Sequence, residues 1–160
     1  MKPYRFFRSR AGFTMIELII AVIVFAIVST VLAVTIASSV KILGAAKNRE
    51  QIALDGEVAV TQFVRDFKML NDNTSIQETQ KTQIKFDMKR GKTLDYKLIN
   101  GQLQVKEGNG SFEVLVDSVN MDSSYFAYWD SNGTALTSFP LSKNKRESIW
   151  RVQLTLDLKY

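Results

Sequence analysis

The chain has 160 residues, with 21 lysines and arginines, 16 aspartates and glutamates, no cysteine and no histidine. A disulfide framework, a thiol nucleophile and a thiolate metal site are excluded, and the commonest general base and metal ligand are missing. This composition argues against an enzyme, and no catalytic residue, cofactor or metal is expected. The formal charge of +5 is concentrated at one end: Lys2, Arg5, Arg8 and Arg10 precede Phe13 with no acid among them. Removing those four leaves 17 basic side chains against 16 acidic ones. The basic balance therefore does not point to nucleic acid.

Residues 1–12 form a short polar, positive stretch. No charged residue then occurs from Leu18 to Val40. As a helix, the 20 residues from Leu18 to Ala37 would span about 30 Å, the thickness of a bilayer core. Ser29, Thr30 and Thr35 can bond to the backbone of their own helix. Basic residues before the run, and none after it until Lys41, predict a cytoplasmic N-terminus and an external C-terminus.

Helical periodicity continues past this segment. Ile52, Gly56, Ala59, Val60, Phe63, Phe67 and Leu70 recur at three- and four-residue spacing, with most charges elsewhere. No proline lies between Pro3 and Pro140, and Asn71-Asp72-Asn73 makes a plausible stop. A helix from Phe13 to Leu70 would be about 90 Å long, which suits a stalk or a packed filament.

Beyond Thr82 the period changes to two. Ile84, Phe86 and Met88 alternate with polar residues, then Leu94, Tyr96 and Leu98 follow a turn at Arg90-Gly91. Asn100-Gly101 is a two-residue hairpin signal before Leu103 and Val105. Gly108-Asn109-Gly110 precedes Phe112, Val114 and Val116, and a strand near Tyr125–Trp129 ends at Ser131-Asn132-Gly133. In the last strand Trp150, Val152, Leu154, Leu156, Leu158 and Tyr160 share one face. Short connections predict antiparallel pairing. The expected fold class is α+β. It comprises a leader at 1–12, a membrane or filament-core half-helix at 13–40, an amphipathic half-helix at 41–71 and a sheet domain at 72–160.

The order Arg8-Ser-Arg-Ala-Gly12, Phe13-Thr-Met-Ile-Glu17-Leu-Ile-Ile resembles the class 3 signal of type IV pilins and type II secretion pseudopilins. The resemblance implies cleavage after Gly12 by a membrane prepilin peptidase and methylation of the new N-terminus at Phe13. It makes Glu17 the assembly residue. The implied partners are that peptidase, other major and minor pilin-like subunits, and the inner membrane; nucleic acid is not expected. The physics of Glu17 agrees. A carboxylate inside an apolar segment costs roughly 2.5 kcal/mol or more near a bilayer centre and less near its edge. A free amine at Phe13, on this chain or a neighbour, is a partner able to neutralise it.

Two departures from the major pilins, no proline in the long helix and no C-terminal cysteine pair, favour a minor subunit. The stretch Phe126–Gly133 followed by Ile149–Leu156 looks like the C-terminal half of the J-type and W-type minor pilin group. The implied function is structural: a processed subunit of a type IV pilus or secretion pseudopilus. The alternatives are a DNA-binding tip subunit of a competence pilus and a plain membrane-anchored exported domain. An ordinary secretory signal, with Val31-Leu32-Ala33 as a mimic of a cleavage site, fits the long apolar run and its early glutamate less well.

Weaker constellations have plainer explanations. Asp130-Ser-Asn132-Gly133 lacks the further acidic ligands of a calcium loop and reads as a turn. Asp117, Asn120 and Asp122 invite the same comparison. Lys143, Lys145 and Arg146, with Tyr125, Phe126, Tyr128 and Trp129 upstream, read as a solvated loop and core aromatics before they read as a strand-stacking surface. Lys89, Arg90 and Lys92 suit a charged hairpin turn. Asn73, Asn109 and Asn132 begin sequons that fit turn chemistry.

Overall fold

The computed structural model describes residues 12–70, 72–89 and 91–159. Helix α1 covers Met15–Lys68, 54 residues with no internal proline. A short 3-10 turn, Asn73–Ser75, follows. Then come β1 (Ile76–Thr79), β2 (Gln83–Asp87), β3 (Thr93–Ile99), β4 (Gln102–Glu107), β5 (Glu113–Val116), β6 (Tyr125–Asp130), α2 (Lys143–Glu147) and β7 (Ile149–Thr155). The chain is α+β, a long N-terminal helix followed by antiparallel strands. It divides into two compact units at Ala45, and α1 runs through both.

In the unit from Ala46 onward, β1 to β5 form one antiparallel meander and β6 pairs with β7 in a separate ribbon. The meander follows from its turns. Asn100 and Gly101 both have positive φ, 53° and 74°, which suits a tight hairpin, and Leu98 faces Leu103 across it. The C-terminal part of α1 lays Gly56, Ala59, Phe63 and Asp66 inward. Ile52, Val60, Phe67 and Leu70 are half-buried beside them. This is the expected stripe, with Asp66 added. The Phe63 ring meets Tyr96 of β3 edge-on at 5.1 Å and Phe126 of β6 at 5.6 Å, so one side chain touches both sheets.

Asp66 is buried yet satisfied. Its carboxylate accepts the Tyr96 hydroxyl at 2.7 Å and the Arg65 Nε–H at 3.2 Å. Burial, and then the neighbouring Asp66, push ionisation of the Tyr96 hydroxyl well above its ordinary range. Tyr128 is shifted the same way by burial, and its hydroxyl is shared between the carbonyls of Gln80 and Gln83, tying the ribbon to the β1–β2 turn.

Three sequence expectations change. First, β1 carries only one large apolar residue, Ile76, and showed no alternation; it forms by pairing with β2. Met88 in turn leaves the strand and bridges to Leu70. Second, Phe112, Val114 and Val116 do not share a buried face. An irregularity opposite Leu103/Gln104 pairs Val116 with Leu103 and Val114 with Gln104, so Val116 is buried while Val114 points outward. Phe112 is also exposed, with the Lys106 ammonium 4.9 Å from its ring centre.

Third, Trp150 is not in the core. Trp129 pairs with Arg151 and Asp130 with Ile149, which leaves Trp150 as the extra residue of a bulge, 77% exposed, and turns Ile149 inward. Val152, Leu154, Leu156 and Leu158 keep the expected side but are only half-buried. The strand stops at Thr155, and Leu158 makes a separate bridge to Val119. The expectation for Tyr160, like those for Asn71, Arg90 and the leader, lies outside the described residues.

A fragment starting near Ala45 should fold alone as a mixed α+β monomer by circular dichroism. Within it, Phe63→Ala should cost about 3–5 kcal/mol in urea unfolding, while Trp150→Ala should stay within about 0.5 kcal/mol. A reversed ranking would contradict this core.

Candidate functional site

The N-terminal unit presents its chemistry on the first turns of α1. Thr14 immediately precedes the helix. Its hydroxyl accepts the Glu17 backbone N–H at 3.4 Å and its carbonyl accepts from Leu18 N–H at 3.2 Å. Thr14-Met-Ile-Glu17 has the spacing of a capping box, a start signal legible in the sequence but overlooked there. The cap fixes Glu17 in the first turn, where the helix dipole favours a negative charge. Phe13 and Glu17 then line one shallow groove with Ile20, Ala21, Val24, Phe25 and Val28. The fold therefore brings Phe13 and Glu17 to one side, with branched aliphatic side chains below them. Gly12 is exposed and nothing lies within 4 Å of where a side chain would start. The basic residues up to Ala11 lie outside the described residues.

Below Glu17 the helix surface is apolar and uncovered. No residue of its most apolar window is buried, and that window has a mean hydropathy of 3.0. Phe25 is 74% exposed and Val31 is 60% exposed. The hydroxyls of Thr30, Thr35, Ser38 and Ser39 each donate to the carbonyl four residues back, at 2.8–2.9 Å, and so need no outside partner. Covering one such Leu, Ile or Val side chain is worth roughly 1.5–3 kcal/mol. A surface of this extent requires lipid or neighbouring helices around it.

The other candidate residues are occupied structurally. The Asp130 carboxylate accepts from Asn132 N–H at 2.9 Å and Thr134 N–H at 2.8 Å, and Gly133 has φ of 78°, so this loop is a turn. Arg146 donates to the carbonyls of Ile76 (3.0 Å) and Leu141 (2.8 Å), which makes it a clamp between α2 and the sheet rather than part of a solvated loop. Phe126 and Tyr128 are core, and Trp129 lies under the Arg151 guanidinium at 4.9 Å. Lys92 pairs with Glu107.

In the loop that holds Asp117, Asn120 and Asp122, Asp157 draws the chain together. Its carboxylate accepts from Asn120 Nδ2 at 2.8 Å and from the Ser123 hydroxyl, and its backbone N–H donates to the Ser124 hydroxyl at 2.9 Å. Those side-chain bonds, from Ser123 first and Asn120 second, hold the Asp157 carboxyl below its ordinary value of 3.8. No cluster of three or more potential metal-ligating side chains occurs among the described residues.

Residues 7–33 match the family model described as the prokaryotic N-terminal methylation motif. No curated protein and no solved structure matches the chain. The chain thus carries the class 3 prepilin motif, and its long helix followed by a sheet fits a pilin-like layout. The matched motif covers the residues around Gly12 and the start of α1, and α1 contains a stretch long and apolar enough to cross a membrane.

A carboxyl with a depressed folded pKa contributes stability that is present above its unfolded value and lost as pH falls through the folded one. The melting temperature of the sheet unit should therefore drop as pH is lowered below about 4. Asp157→Asn should melt lower than the native chain at pH 7 and show a shallower acid decline. An identical acid profile in both proteins would exclude this clasp as a source of the dependence.

Proposed function

We propose that this protein is a minor pilin or pseudopilin, cut between Gly12 and Phe13 by a prepilin peptidase, methylated at Phe13 and docked into a filament through Glu17. The observation that carries the proposal is the one carboxylate at the head of an otherwise charge-free, fully exposed apolar helix surface. Before assembly, the segment would sit in the inner membrane with the leader cytoplasmic and the sheet unit outside, the orientation favoured by the basic leader. On assembly the same surface would move from lipid to neighbouring helices. Both surroundings are apolar, so the transfer changes little hydrophobic free energy, and polar interactions decide register.

The Glu17 carboxylate and the Phe13 amine of a neighbour can supply that register. In a low-dielectric surrounding each charge is costly alone, so the pair penalises misplacement more than it adds stability. The protein's part is assembly, without catalysis, as a subunit that helps to start or cap the filament. The aromatic strand β6, the Asp130 turn and the final strand β7 support a place in the J-type or W-type group.

Intact mass and N-terminal sequencing from the native host should give a chain beginning at methylated Phe13. A start after Ala33, or an intact Met1, would refute the processing step and favour an ordinary exported or anchored domain. Glu17→Val should preserve membrane insertion and cleavage, because it removes a charge from the apolar segment and leaves Gly12 in place. It should abolish recovery of the protein in sheared filaments. Native filament levels of the variant would show that the carboxylate has no docking role.

A further inference from the structure

The ribbon of β6 and β7 has an outward side that the core does not use. Tyr125, Ala127 and Trp129 alternate with the buried Phe126 and Tyr128, so they share this side. Their partners across the ribbon are Thr155, Gln153 and Arg151. The bulge adds a third ring. Trp150 and Arg151 are consecutive and both exposed, where strict alternation would turn one of them inward. Both tryptophans of the chain therefore lie here. Tyr125 and Trp129 are four residues apart, about 13 Å at the rise of a strand.

Between the rings the surface is low and polar. Ala127 projects little. Gln153 donates one amide N–H to the Thr155 hydroxyl at 3.3 Å, which leaves its carbonyl oxygen and second N–H for an outside partner. Beside Tyr125 is a hollow of about 200 Å³, lined by Lys81, Thr82, Met121 and Asp122. The side chains of Lys81, Thr82 and Asp122 make no hydrogen bond or ion pair among the described residues. At the other end Arg151 lies over the Trp129 ring, and the Asp130 carboxylate closes its turn. Two cations, Lys81 and Arg151, are thus balanced by two carboxylates, Asp122 and Asp130.

These features select a ligand. A nucleic acid is held by cations that neutralise its phosphates, and here the cations are already balanced. A protein interface is built around a contiguous apolar centre, and here Ala127 and Gln153 separate the rings. Sugar rings match both properties. Their C–H faces stack on aromatic rings, and the hydroxyls at their edges donate to and accept from neutral polar groups beside those rings. An extended chain can reach both aromatic ends at once. We propose that the outward side of the β6–β7 ribbon binds a neutral β-1,4-linked polysaccharide. Tyr125 and Trp150 stack on its sugar rings, while Gln153, Thr155 and the hollow at Lys81 and Asp122 bond to its hydroxyls. The site belongs to the sheet-bearing unit and does not depend on cleavage after Gly12 or on Glu17.

Tryptophan fluorescence of the full-length protein in lipid nanodiscs reads occupancy of this side directly, since it holds both tryptophans. The probes are cellohexaose and the β-1,4 hexamer of N-acetylglucosamine, with α-linked maltohexaose and an oligothymidylate for comparison. The expected result is a saturable change in emission with a β-linked hexamer, insensitive to high salt. Trp150→Ala and Tyr125→Ala should each weaken that binding by about tenfold, while Tyr125→Phe, which keeps the ring, should weaken it less than about twofold. Phe112→Ala, an exposed ring elsewhere on the sheet unit, should change nothing. An unchanged melting temperature for Trp150→Ala shows that its loss of binding is not unfolding. No response to either β-linked hexamer, equal affinity in the Trp150→Ala protein, or a response to oligothymidylate alone that high salt abolishes would each overturn the proposal. So would a sugar-free emission shift that grows with protein concentration and disappears in Trp150→Ala, which would mark this side as a protein contact.

Discussion

The Phe63 ring is where helix, meander and ribbon meet. It stands edge-on to Tyr96, packs against Phe126 and stacks on Phe67, which in turn meets Phe86. The two-stranded ribbon has no hydrophobic layer of its own, and an isolated hairpin is marginal in water. Its stability derives from Phe126 and Tyr128 reaching a core that α1 closes. Asp66 adds direction to that packing: the bond from Tyr96 fixes the rotation of α1 over β3, and a buried carboxylate tolerates only geometries that supply its donors.

The same helix has the opposite property upstream. From Met15 to Ala45 no residue is buried within its own chain, and the hydroxyls of Thr30, Thr35, Ser38 and Ser39 are satisfied internally. One continuous helix therefore joins a segment whose partners lie outside the chain to a segment whose partners lie within it. This division suits the proposed subunit, stored in lipid and then transferred to a bundle of like helices. The outer half needs apolar surroundings of either kind, while the inner half keeps the sheet unit intact in both.

Within residues 13–40, charge is confined to the start. Thr14 caps the helix and Glu17 follows in its first turn, beside Phe13. A polar head above a long apolar face is what an assembly needs if greasy contact supplies affinity and one charge supplies position. Apolar helices slide past one another at small cost; a carboxylate that must find an amine does not.

By itself the sequence determined whatever depends on neighbours along the chain. The charge-free run, the absence of proline, the change of period after Thr82 and the Asn100-Gly101 turn are local signals that the structure follows, and the motif around Gly12 and Glu17 is local too. The Thr14 cap is equally local, since Thr14 and Glu17 have the spacing of a capping box. Other features were decided only in three dimensions. Trp150 and Val114 read as core by alternation and face water, because bulges opposite Asp130 and Leu103/Gln104 change which residue points inward. Asp66 stands out in no local pattern and is buried, because Tyr96, thirty residues away, brings the donor that makes burial tolerable. Arg146 reads as a solvated cation and clamps two carbonyls, one of them at Ile76. A strand's register and a polar group's burial depend on partners distant in sequence, and no local pattern specifies which partner arrives.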